Sequence, residues 1–247
     1  MIARLGLAAL FAIACMTAGA GEIVILSSQG VTAVMETLAP EFERATGDRL
    51  VMRFGVSSSI KREIDEGAAF DVTILARDQI DPLIQAGTVI ADGRKDIARS
   101  GIGIAIKEGA AKPDLSSAAS IKQALLASNG VAFTSVGTSG LYVQKLIRDW
   151  GIEDQMRDKL RPQPSGRAAE QVARGEAQYA FQQISELMGV SGTEIAGPLP
   201  PELQLYTTFT AAIGAKAKNQ AGAKALIDFL SAPARAPVIA AKGMQPG

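Results

Sequence analysis

Residues 23–30 read Ile23-Val24-Ile25-Leu26-Ser27-Ser28-Gln29-Gly30, and the fold class follows from this stretch. Four consecutive apolar residues suit a strand buried on both faces. Small polar residues end the run, and Val31, Val34, Met35, Leu38 and Phe42 then recur at helical spacing as far as Gly47, a helix stop. The unit is strand, polar loop, helix.

The same unit returns twice. Leu50 to Phe54 reads as a strand, Ser57-Ser58-Ser59 as its loop, and Ile60 and Ile64 lie on a helix ending near Gly67. Asp71 to Leu75 begins the next, with Ile80, Leu83 and Ile84 on a helix that stops at Gly87. Alternation of this kind predicts a parallel sheet with helices on both faces. Ile102 to Ile106 reads as a further strand. A second series starts at Val131-Ala132-Phe133, passes Thr134 to Gly140, and continues as a helix with Val143, Leu146, Ile147 and Trp150 on one face. Pro162 to Gly166 introduces a short helix through Val172, and Ala177 to Phe181 is a strand. Near the end, Leu205 to Ile213 reads as extended and Ala221 to Leu230 as helical.

Two α/β series predict two doubly wound α/β lobes joined by a two-strand hinge. The crossings are placed at Ile102 to Ile106 and Leu205 to Ile213, giving a discontinuous first lobe, 21–100 plus 210–247, and a second lobe, 101–209.

The N-terminus predicts the compartment. Arg4 precedes an apolar run from Leu5 to Met16 and then Ala18-Gly19-Ala20, the pattern of a secretory signal peptide over 1–20 cleaved after Ala20. The expected location is the periplasm. Lipid anchoring at Cys15 is the less favoured alternative, because Leu is the more usual residue three before a lipidated cysteine. Removing residues 1–20 takes one base and no acid from 25 of each, leaving a net charge of −1. No nucleic-acid partner is expected at that balance, and a monomer is.

The chain contains no histidine, and its single cysteine is Cys15. That removes Ser-His-Asp and Cys-His catalysis and all nitrogen and thiolate metal ligands from the mature chain. The expectation is no metal, no cofactor and no catalysis. If acid–base chemistry did occur, it would fall to carboxylates or lysines such as Glu186 or Lys61. Ser58-Ser59-Ile60-Lys61 matches S-x-x-K, but neither S-D-N nor K-T-G accompanies it. Gly101-Ile102-Gly103 begins a dinucleotide fingerprint that fails at Ile106. Lys61 and Arg62 read as a solvated helix face, and Trp150 as core.

Four loop-to-helix junctions share a composition: Ser27-Ser28-Gln29-Gly30, Ser57-Ser58-Ser59, Thr138-Ser139-Gly140 and Ser165-Gly166. At each, unpaired helix N–H groups and a hydroxyl can receive an anion without a charged side chain. Each serine is equally a good helix cap. Two junctions fall in each expected lobe, so closure would surround one small anionic ligand with neutral donors.

The segments IVILSSQGV (23–31), APEFERATG (39–47) and FGVSSSIKREIDEGAAFDVTILA (54–76), with SGLYVQKLI, GEAQYAFQQISEL and the tail ALIDFLSAPARAPVIAAKGMQPG, resemble the periplasmic molybdate-binding proteins and their wider family of ABC-transporter binding proteins. The resemblance implies a type II periplasmic-binding-protein fold and a tetrahedral oxyanion delivered to a membrane permease. It places ligand-binding serines at Ser27 or Ser28 and at Ser57 or Ser58. Backbone N–H donors fall at Ser139, beside Gly140, and within Pro164 to Gly166 at Ser165 and Gly166. The family's ligand-binding tyrosine meets Gln182 here, and Gln183 and Glu186 follow at once. A carboxylate beside the site repels a dianion. A small organic carboxylate stays open as the ligand, as does a sensor role in place of transport.

Overall fold

The structure, a computed structural model, describes residues 21–247; the expected signal peptide over 1–20, with Cys15, lies outside the described residues.

The first half alternates as its pattern dictates: β1 (Glu22–Ser28), α1 (Thr32–Thr46), β2 (Arg49–Gly55), α2 (Ser57–Asp65), β3 (Val72–Ala76) and α3 (Arg77–Gln85). The strands β2, β1 and β3 are parallel. Every residue of β3 is buried, as a central strand covered on both faces requires. α1 buries Val34, Met35, Leu38 and Phe42 on one stripe and ends where Gly47, at φ 81°, caps the Glu43 carbonyl. That left-handed conformation is open to glycine at no steric cost.

Next come β4 (Lys95–Lys107), α4 (Ala118–Ala127), β5 (Val131–Thr134), α5 (Thr138–Asp149), α6 (Glu153–Met156), β6 (Leu160–Gln163), α7 (Ala169–Ala173), β7 (Tyr179–Gln183), α8 (Ile184–Leu187) and β8 (Thr193–Pro198). The chain closes with β9 (Tyr206–Ile213), α9 (Gln220–Ser231), α10 (Ala236–Ala241) and β10 (Gln245–Pro246).

The main strand order is β2-β1-β3-β9-β4-β7-β5-β6. It is mixed rather than wholly parallel, because β9 runs antiparallel to β3 and β4 antiparallel to both β9 and β7. β4 supplies the continuity: residues 95–101 pair with β9, and residues 102–107 pair with β7 and β8. Phe209 to Ile213 of β9 pair with β3, while Tyr206 to Thr208 pair only with Arg99 to Gly101 of β4. Just before β9, Leu199 N–H donates to the Ile102 carbonyl, and Gln204 brackets Ile102 at both N–H and C=O.

Two pairs of apolar clusters surround this arrangement. Around the first sheet, α1 and α9 cover one face, with Phe42 and Phe229 edge to face at 5.4 Å, while Ile60, Ile64, Ile80 and Leu83 cover the other. Around the second, Ile121, Leu125, Val143 and Ile147 pack on one side, and Ala168, Ala169, Val172 and Leu187 on the other. Trp150, expected in the core, sits at the C-cap of α5 and is only partly buried. Lys61 pairs with Asp65 one turn on, at 2.6 Å. The buried Asp71 carboxylate ties β1 to the start of α9, accepting from the N–H groups of Val24, Lys218 and Asn219 at 2.8, 2.6 and 3.2 Å.

Candidate functional site

The loops after β1, β2 and β5 meet at a cavity of about 180 Å³ between the two halves. Ser28 and Gln29 enter from the first loop, Ser57 and Ser58 from α2, and Thr138 and Ser139 from α5. Both helices start without a side-chain cap, at Val56 and Gly137. Their first N–H groups, with the positive ends of two helix dipoles, therefore remain for a ligand. Among the described residues, no Lys or Arg lines this cavity.

Hydrogen bonding separates the serines of each run. Ser28 Oγ accepts from Gly30 N–H at 3.2 Å, and Ser57 Oγ accepts from Ala76 N–H at 3.1 Å. Each thus keeps its hydroxyl proton to donate. Ser58 Oγ donates to the Val136 carbonyl at 3.3 Å, across the cleft. Ser27 is fully buried behind the wall, with Oγ directed at the Ile74 carbonyl, 3.5 Å away, and does not line the cavity.

Gly140 serves packing rather than lining. A Cβ there would stand 1.6 Å from the Thr134 carbonyl oxygen, so glycine lets α5 settle against the end of β5. Ser165 and Gly166 are not in this cavity. They line a second chamber of about 470 Å³, with Arg167, Glu36 and Phe54 among its other walls.

Gln182 departs furthest from its expected role. Its Oε1 accepts from Ala168 N–H at 2.8 Å, and its Nε2 donates to the Gly166 carbonyl at 2.9 Å. Both ends of the amide are thereby engaged in shaping the 166–168 loop, and the side chain is fully buried outside the cavity lining. Adjacent strand residues point to opposite faces, so the neighbour, Gln183, lines the cavity instead. Gln183 Nε2 donates to Thr207 Oγ1 at 2.6 Å, while its buried Oε1 has no partner.

Glu186 completes the wall and belongs to both chambers. It is buried, and desolvation raises its pKa from 4.5 to about 7; the Gln29 side chain, the Gln183 backbone and the charge of Arg167 pull weakly the other way. Gln29 crosses the cleft to hold Gly166, and Ser185 Oγ donates to the Gly30 carbonyl at 2.8 Å. Thr134, Thr207 and Phe209 also line the first cavity. These three, with Gln29, escaped the sequence reading because they lie outside the Ser/Gly junctions or, for Gln29, act only through a partner in the other half. Among the described residues no cluster of three or more acidic, histidine or cysteine side chains has metal-holding geometry. No helix among them is long and apolar enough to cross a membrane.

The family model described as bacterial extracellular solute-binding protein matches residues 23–245. An aconitate isomerase from Pseudomonas sp is 31% identical, over 91% of this chain and 87% of that protein. The molybdate-binding protein ModA of Azotobacter vinelandii is 27% identical, over 94% of this chain and 92% of its own. Among solved structures, the Azotobacter vinelandii periplasmic molybdate-binding protein superposes with a TM-score of 0.76 at 20% identity, covering 91% of this chain and 99% of that one. The fold is thus the type II periplasmic-binding-protein fold implied by the resemblance.

The expectation of no catalysis is corrected by the isomerase relative. It rested on the absence of histidine and of cysteine after residue 20. A buried carboxylate on the wall of the cleft supplies an acid–base group that needs neither.

Proposed function

This chain belongs to the bacterial extracellular solute-binding protein family, and on that premise we propose that its cleft binds a small unsaturated polycarboxylate and moves a proton within it. The observation that carries the reading is the placement of Glu186, a buried carboxylate in no ion pair among the described residues, on the wall of a cavity that presents the α2 and α5 helix starts and the serine hydroxyls, with the exposed Asp78 as its other carboxylate. Simple capture of an oxyanion has no use for such a group. A propene tricarboxylate such as aconitate, the compound in the relative's name, does.

The chemistry balances without a co-reactant. Ionised Glu186 takes a proton from the methylene carbon beside the double bond. The C–H electron pair spreads over the three-carbon frame onto carboxylate oxygens, and protonated Glu186 returns the proton to the other terminal carbon. The double bond has then shifted, and either geometry can form. Negative charge developing on the carboxylates is met by the N–H groups of α2 and α5 and by the hydroxyls of Ser28 and Ser57. A carboxyl group with a pKa near the working pH, about 7 for Glu186, is matched to both halves of that transfer.

Proton NMR of trans-aconitate with the mature protein in D₂O tests this. Appearance of the cis isomer, with deuterium entering the carbon skeleton, is expected for the wild type and is absent in Glu186→Gln, which still binds. A wild type that binds trans-aconitate but neither isomerises nor exchanges it overturns the proposal.

A second reading is favoured by the cavity's size and by its lack of a lysine or arginine. These suit a compact oxyanion such as molybdate, held by neutral donors and delivered to an ABC-transporter permease. A melting-temperature shift with molybdate, tungstate or sulfate and none with tricarboxylates selects it.

A further inference from the structure

The two chambers share only Gln29 and Glu186 as lining residues. On the near side stand the α2 and α5 N-termini. On the far side stands Arg167, among the described residues the one cation lining either chamber. Its Nη2 donates to the Met188 carbonyl at 2.8 Å, which uses one of five guanidinium N–H groups. Arg167 takes no part in any ion pair among the described residues. A half-buried guanidinium with a fixed stem and idle donors suits a carboxylate. The partition beside it is thin. Gln29 holds Gly166 through two bonds of 3.3 Å each, at the long end of the hydrogen-bond range.

The near chamber, at about 180 Å³, is small beside the roughly 300–1,000 Å³ of ordinary small-molecule sites. Joined to the far chamber of about 470 Å³, it falls within that range. We infer that Arg167 and the Gly166 N–H form a second carboxylate subsite in the far chamber, reached when Gln29 turns from Gly166 to the ligand. A polycarboxylate then spans the partition, with one carboxylate at α2 and α5, another at Arg167, and its carbon frame beside Glu186. Arg167 is accordingly the residue that selects three carboxylates over two. This inference rests on the polycarboxylate reading above.

Titration calorimetry of the mature protein with propane-1,2,3-tricarboxylate and with butanedioate tests it. The wild type is expected to prefer the tricarboxylate by at least tenfold. Arg167→Met should bring that ratio close to one, and Arg167→Lys should restore part of it. If loss of the Met188 contact unfolds the Met variant, Arg167→Gln against Arg167→Lys, which differ in charge at similar reach, carries the comparison. A folded, uncharged variant with an unchanged ratio overturns the subsite and leaves the polycarboxylate reading standing. A wild type that binds neither acid removes both.

Discussion

Gln29 and Gly166, 137 residues apart in sequence, hold each other across the cleft by a reciprocal pair of hydrogen bonds: Gln29 Nε2 donates to the Gly166 carbonyl, and Gly166 N–H donates to Gln29 Oε1, both at 3.3 Å. Long, exposed bonds of this kind contribute about 1 kcal/mol together. Gln29→Ala should therefore shift the ligand-free protein toward the open form by roughly fivefold. Small-angle scattering at saturating and zero ligand reads this directly, and an unchanged ligand-free radius of gyration would contradict it.

Stability should depend on pH through Glu186. With its pKa raised from 4.5 to about 7, the folded protein keeps a proton that the unfolded chain has lost, so stability falls as pH rises through that window. The penalty is absent below the lower value and complete above the upper one, where it is on the order of 3 kcal/mol. Glu186→Gln should match wild type at pH 4 and melt several degrees higher at pH 8. Equal melting temperatures at pH 8 would rule this out.

The two adjacent glutamines should separate cleanly. Gln182→Ala strands the Ala168 N–H and the Gly166 carbonyl, costing about 2 kcal/mol in urea unfolding. Gln183→Leu removes an acceptor that is already unpaired and one bond, from Nε2 to Thr207 Oγ1, so stability should fall by only about 1 kcal/mol while ligand affinity falls. The reverse pattern would reassign the ligand-facing side of β7.

Gly140→Ala places a methyl carbon against the Thr134 carbonyl oxygen at 1.6 Å. Neither backbone segment can yield cheaply, because α5 is fixed by its apolar stripe and β5 is paired on both sides. A loss of about 3 kcal/mol is expected by denaturant titration. A loss below about 1 kcal/mol would mean that α5 can slide.

The alternating elements were legible from residue 23 onward. Continuous apolar runs such as Ile23 to Leu26 and stripes such as Val34 to Phe42 follow from local periodicity, which one chain segment carries alone. The antiparallel insertion of β9 beside β3 was not legible, because an extended segment does not state its partner. The Ser/Gly junctions pointed to the region of the cleft, and Ser28, Ser57, Ser58 and Ser139 do meet at one cavity.

What the sequence by itself determined is the chemistry on offer: no imidazole, no thiol beyond Cys15, and neutral anion donors at helix starts. Only the tertiary structure decided how these are used. Strand alternation turned Gln182 inward and Gln183 to the cavity, and the meeting of the two halves divided the cleft at Gln29. Burial changed Glu186 from a repelling charge into a group able to hold or release a proton. Orientation across a strand, contact between distant segments and desolvation are all properties of the packed chain.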